Sequence, residues 1–196
     1  MAVFTQITRE QLAQWLTPLQ LGELIEFKGI ATGIENSNFF VTLSKDGITT
    51  DYVLTIFEVL TAEQLPFYLE LMAHLAHKDI PVPQPYADAN GTLFRELAGK
   101  PASLVSKMAG KDTHAPTPAH CASVGRTLAQ MHLAVRDFTG TQPNLRGLCW
   151  WQSMEHKVAE FLPERSATLL HDEIKAQTVL AQTDLYTSLP TGPGHC

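Results

Sequence analysis

The sequence predicts an α+β chain in which a lobe of about five antiparallel strands, with one helix inserted after the third, gives way to helices alone. Three observations carry this expectation. Residues 23–60 hold three stretches rich in β-branched and aromatic side chains, divided by turn residues. An apolar pattern with helical spacing follows at 65–76. From 118 onward every apolar pattern has the helical period.

Ile7, Leu12, Trp15, Leu16 and Leu19 form the first helical stripe, and Thr8 with Gln11 makes a capping box at its start. Pro18 and Gly22 end it. Leu24–Ile30, Asn38–Leu43 and Tyr52–Phe57 are the first three strands, with Lys45-Asp46-Gly47 turning the chain between the last two. Leu65, Leu69, Met72, Leu75 and Ala76 share one face of the inserted helix. Pro66 would clash inside a helix begun at Thr61, so the start is expected near Pro66. The alternate prolines 81, 83 and 85 exclude a helix and favour extended backbone. Asn90-Gly91 predicts a tight hairpin between Pro85–Ala87 and Thr92–Leu97, and Ala102–Met108 is the last strand.

Residues 112–118 are polar, with two prolines, and suit a linker. Thr117-Pro118 opens the next helix, with Val124, Leu128, Met131 and Val135 as its stripe and His132 expected in its packed part. Helical patterns at about 150–161 and 165–188 follow. The expected organisation is a lobe over 1–108 and a helical segment over 109–196, with apolar faces left on its helices.

Composition narrows the function. The chain has 196 residues, 44% of them hydrophobic, and a formal net charge of −6. Nothing favours a nucleic-acid backbone as partner, which calls for a basic surface. The longest apolar runs, 39–43 and 52–57, are too short to span a bilayer, and residues 1–20 have no apolar signal core. Three cysteines without CxxC spacing read as reduced thiols, so a soluble cytoplasmic protein is expected. No GxSxG elbow appears, and His74, His77, His114 and His120 show no zinc-like spacing, so no metal ligands are assigned.

The order of strands, helix and hinge is that of a protein-kinase-like N-terminal lobe. That arrangement calls for a loop over the phosphates between the first two strands, where Gly33, Asn36, Ser37 and Asn38 stand. Glycine lets the backbone approach closely, and the polar side chains offer donors. It also calls for a lysine on the third strand paired with a helix carboxylate. Thr55 occupies the lysine's place, and Glu70 lies on the following helix as the candidate carboxylate. Lys107 and Met108 close the last strand at the hinge and complete the nucleotide-contact set.

Longer stretches carry a resemblance. Gly33-Ile34-Glu35-Asn36-Ser37-Asn38-Phe39-Phe40-Val41, Tyr52-Val53-Leu54-Thr55-Ile56-Phe57-Glu58, Leu65-Pro66-Phe67-Tyr68, Ile80-Pro81-Val82-Pro83, Gly99-Lys100-Pro101-Ala102 and Asn144-Leu145-Arg146-Gly147-Leu148 resemble the homoserine kinases of the aminoglycoside-phosphotransferase-like superfamily. The likeness runs from about residue 3 to residue 192. It implies a protein-kinase-like fold, ATP and Mg²⁺ as cofactors, L-homoserine as the acceptor and O-phospho-L-homoserine, on the route to threonine, as product. It also implies threonine rather than lysine at position 55. The family's catalytic base and metal ligands belong to an H-x-D-x-x-x-x-N loop and a following Asp strand. His195 matches the loop histidine, Pro193 and Gly194 depart from the apolar residues before it, and the sequence given ends at Cys196. A form shortened before the catalytic loop, inactive as 196 residues, is therefore expected. Two other readings remain: a kinase of the same superfamily acting on an amino alcohol or a sugar, and a non-catalytic ATP-binding or interaction module.

Overall fold

The computed structural model describes residues 3–194, so His195 lies outside the described residues. The chain divides after Gly140 into two compact units, one reaching up to that residue and one spanning Thr141–Pro193.

The first unit opens with helix α1 (Arg9–Leu16), capped as expected: the Thr8 hydroxyl accepts from the Gln11 amide while the Gln11 side chain accepts from the Thr8 amide. A 3₁₀ turn, Thr17–Leu19, ends it. Five antiparallel strands follow in one sheet of order β1-β2-β3-β5-β4: β1 Glu23–Gly29, β2 Ser37–Lys45, β3 Ile48–Ile56, β4 Arg95–Leu97 and β5 Lys100–Ser106. Asp46 and Gly47 both take positive φ, 53° and 80°, and join β2 to β3 by the tight turn their sequence favours. A bulge at Leu24/Glu26 bends β1, and Arg9 of α1 donates to the carbonyls of Leu24 and Ile25 there. Gly22 (φ 120°) sits so close to the Ser44 carbonyl that a Cβ would fall 2.3 Å from its oxygen. Only glycine fits both conditions.

One sheet face forms the core. Phe39, Val41, Leu43, Tyr52, Leu54, Ile56, Ala102 and Leu104 pack with Leu12, Trp15, Leu16 and Leu19 from α1 and its turn. Arg95 of β4 reaches back to α1, stacking 4.8 Å over the Trp15 ring and donating to the Trp15 carbonyl.

Helix α2 (Leu65–His77) starts at the residue before Pro66, which sits in the first turn where its missing N–H costs nothing. The expected hairpin over 85–97 takes another form. Residues 84–86 pair with β5 rather than with 92–97: Tyr86 N–H donates to Leu104 O (3.0 Å), Ser106 N–H donates to Gln84 O (2.9 Å), and Pro85 bridges Val105. In this pairing Gln84 supplies its carbonyl and Tyr86 its amide, so Pro85 between them, which has no N–H to give, is tolerated at the sheet edge.

Helix α3 (Pro118–Ala134) begins at Thr117, whose hydroxyl accepts from the His120 amide while His120 Nδ1 accepts from the Thr117 amide. His132, expected in the packed part of this helix, is exposed; α3 has no buried residue. The second unit holds α4 (Leu148–Ala159), α5 (Glu164–Leu180) and the short α6 (Asp184–Thr187). A Gln152–Thr178 hydrogen bond (2.9 Å) and a His171–Glu155 contact (2.6 Å) join α4 to α5. The single helix expected over 165–188 is two, because Thr183 turns extended and caps the Tyr186 amide, starting a new helix. No helix among the described residues is long and apolar enough to cross a membrane.

Candidate functional site

Because side chains alternate along a strand, the face opposite the core carries a different set from the same strands. Asn38, Phe40, Val53, Thr55, Ser103 and Val105 point there, and with Asn36, Phe57, Leu69 and Met72 of α2, Pro83 and residues 106–108 they line a cavity of about 570 Å³. Registration sorts these side chains into two rows across β2, β3 and β5. Phe40, Val53 and Val105 are laterally paired, an apolar row; Asn38, Thr55 and Ser103 are the next row, all polar. The first row suits a flat apolar ring, the second a ligand with hydrogen-bonding atoms.

The polar row is partly wired. Thr55 Oγ1 donates to Asn38 Oδ1 (2.8 Å), which fixes the Asn38 amide so that its Nδ2 reaches the Asn36 carbonyl (3.4 Å). Asn36 Oδ1 accepts from the Glu58 amide (3.3 Å), pinning the end of the 31–36 loop to the second residue after β3. The Ser103 hydroxyl is buried and has no hydrogen-bond partner among the described residues.

The cation at this site is already engaged. Lys107 Nζ lies 2.9 Å from Asp51 Oδ2 and 5.0 Å from the centre of the Phe40 ring. Hydrogen bonds from Lys107 and then Thr42 hold the Asp51 carboxyl below the usual aspartate range. No lysine stands on the floor of the cavity where β3 carries Thr55.

The sequence-predicted residues are thus distributed unevenly. Asn36, Asn38, Thr55, Lys107 and Met108 line the cavity together. Gly33 sits in the preceding loop at φ 127° and is not part of the lining. Glu70 is exposed on α2 and does not line it either. Ser37 faces the other way, since it alternates with Asn36 and Asn38. Its hydroxyl accepts from the amides of Phe4 (2.7 Å) and Thr5 (2.9 Å) and donates to Glu58 Oε1 (2.5 Å). Glu58 in turn is paired with Lys100, which also reaches Thr5 Oγ1 (3.0 Å). Burial pushes the Glu58 carboxyl upward, but hydrogen bonds from Lys100, Ser37 and Thr5 outweigh it and leave the group below the ordinary glutamate range. This network fastens the N-terminal segment to the sheet.

Ser103 was not marked by sequence. A lone serine between Ala102 and Leu104 carries no local signal; only the pairing of Thr55 with Ser103 brings it into the row. His74 of α2 and Lys78 just after it serve attachment rather than ligation. Both reach the Ala134 carbonyl (3.0 and 2.7 Å) and the Asp137 carboxylate in the 3₁₀ turn that follows α3.

Known proteins share this sequence and this fold. The model of the phosphotransferase enzyme family matches residues 26–195. A homoserine kinase of Paraburkholderia phymatum is 52% identical over 196 residues, covering all of this chain and 59% of the relative. One from Cupriavidus pinatubonensis is 50% identical with the same coverage. The chain therefore spans about three fifths of the length of the curated relatives it matches. Among solved structures, spectinomycin phosphotransferase in complex with ADP and spectinomycin is similar in fold, with a TM-score of 0.63 at 13% identity over 95% of this chain and 60% of that one. With the family match covering most of its length, the chain belongs to the phosphotransferase enzyme family.

Proposed function

We propose that the chain is the nucleotide-binding lobe (1–108) and part of the helical lobe (109–196) of a cytoplasmic homoserine kinase, which transfers the γ-phosphoryl group of ATP to the L-homoserine hydroxyl and yields O-phospho-L-homoserine. The observation that supports it most is the two-row sheet face: an apolar row sized for a purine ring beside a polar row of neutral hydrogen-bonding groups. The names of relatives at about 50% identity supply the acceptor.

In this reading the base of ATP lies on Phe40, Val53 and Val105, with Met108 beside it. The sugar and phosphates extend over Asn38 and Thr55 toward the loop that ends at Asn36. The Asn36–Glu58 and Asn38–Thr55 bonds hold that loop end and strand face in place before the ligand arrives, so little ordering is left for binding to do. Catalysis in phosphoryl transfer is chiefly such positioning, together with neutralisation of phosphate charge. Mg²⁺ supplies that neutralisation in kinases. Among the described residues no group of three or more His, Cys, Asp or Glu could hold that ion.

Two measurements test the proposal. Calorimetry with ADP is expected to show one site per 196-residue chain, and absence of binding contradicts the nucleotide reading. A chimera in which residues 1–196 replace the matching segment of the Paraburkholderia phymatum relative is expected to release ADP from ATP only when L-homoserine is present. Preference for another amino alcohol or a sugar contradicts the acceptor.

A further inference from the structure

Among the described residues, the Ser103 hydroxyl is the buried polar group of this sheet face that is left unpaired. Ser103 is 1% exposed, lines the cavity, and its Oγ has no hydrogen-bond partner. Buried polar atoms are nearly always paired, because an unpaired one loses its water without recompense. Its lateral neighbour Thr55 donates its proton to Asn38 and makes no hydrogen bond with Ser103. The neighbouring row, two residues along the strands and hence roughly 7 Å away, is apolar and ends at Val105. That spacing matches the step from a purine ring to its sugar and first phosphate.

We infer that Ser103 is a ligand-binding residue, whose hydroxyl is completed by a hydrogen bond to the sugar or first phosphate of a nucleotide seated on the apolar row. The inference rests on the nucleotide reading above and adds to it a contact on β5, with Asn38 and Thr55 holding the other end of the row. The strand tolerates the unpaired hydroxyl without ligand, and the ligand removes the deficit.

Removing the hydroxyl is expected to move two properties of one variant in opposite directions. Ser103→Ala deletes an unpaired buried hydroxyl, so the ligand-free chain is expected to melt at the same temperature as the parent or higher. The same variant is expected to bind ADP and AMP about five- to tenfold more weakly by calorimetry, equally for both, since the contact precedes the second phosphate. Unchanged affinity would mean that a water molecule satisfies the hydroxyl, and overturns the inference alone. A lower melting temperature without ligand would reveal a protein partner for Ser103 and overturn it as well. A loss confined to ADP would place the contact beyond the first phosphate, again against it. Failure of the parent chain to bind either nucleotide overturns the nucleotide reading, and this inference falls with it.

Discussion

On the face of the sheet covered by α1, strands β2, β3 and β5 contribute Phe39, Val41, Leu43, Leu54, Ile56 and Leu104, none more than 3% exposed. On the opposite face the alternating residues of those strands are Asn38, Phe40, Val53, Thr55, Ser103 and Val105, which line an open cavity. One set of backbones therefore serves two purposes. If the cavity face binds the nucleotide as proposed, the period of two separates stability from ligand binding, and neighbouring substitutions on one strand should act on different properties.

The largest contrast is expected between adjacent positions of β3. Leu54→Ala removes a fully buried side chain from the core face and is expected to cost about 2–5 kcal/mol in urea unfolding. Thr55→Val, one residue away on the cavity face, is expected to cost less than about 1 kcal/mol. Comparable losses at the two sites would break the separation of faces.

The Lys100–Glu58 pair comes next. Lys100→Met leaves Glu58, whose side chain is 11% exposed, without its cation. The lysine side chain is 39% exposed, so solvent screening reduces the effect to about 1–2 kcal/mol. The pair also makes a pH prediction. The Glu58 carboxyl titrates lower in the folded chain than in the unfolded one, so on acidification the unfolded state takes up its proton first. Its contribution to stability is full above the ordinary glutamate range and is lost as pH falls below about 4. Glu58→Gln should flatten that part of the stability profile, measured by urea unfolding between pH 3 and 6; an unchanged slope would remove Glu58 from the account.

Much of this was legible in the sequence, and the limits have physical causes. The Thr8–Gln11 box, the Asp46-Gly47 turn and the start at Leu65-Pro66 follow from backbone chemistry confined to a few residues, and each stands where the local rule puts it. Pairing partners do not follow from local rules: the turn at Asn90-Gly91 predicts Pro85–Ala87 paired with Thr92–Leu97, whereas residues 84–86 lie against β5. The same limit governs the site. Asn36, Asn38 and Thr55 could be picked out because their segments are distinctive, but Ser37 was grouped with its neighbours although alternation turns it toward Glu58. Ser103 needed the register between β3 and β5, which no single strand encodes.

Smaller effects sharpen the description of the open face. Thr55→Val frees the Asn38 amide that the hydroxyl now fixes, and ADP affinity is expected to fall about three- to tenfold, read by calorimetry. Salt is expected to matter least. Lys107 is already paired with Asp51, and the row beneath the ligand is neutral. Raising sodium chloride from about 50 to 300 mM should change ADP affinity by less than about threefold, and a steep decline would mean that an unpaired cation holds the phosphates.

The central claim, that this sheet face and not another surface receives a nucleotide, is tested most directly by amide NMR of the ¹⁵N-labelled chain titrated with ADP. Shifts are expected to gather on Asn36, Asn38, Val53, Thr55, Ser103 and Lys107, with Leu12, Leu16 and Leu43 unmoved. Shifts gathered instead in the α1–β1 notch around Arg9 and Lys45, or on α4 and α5, would contradict it.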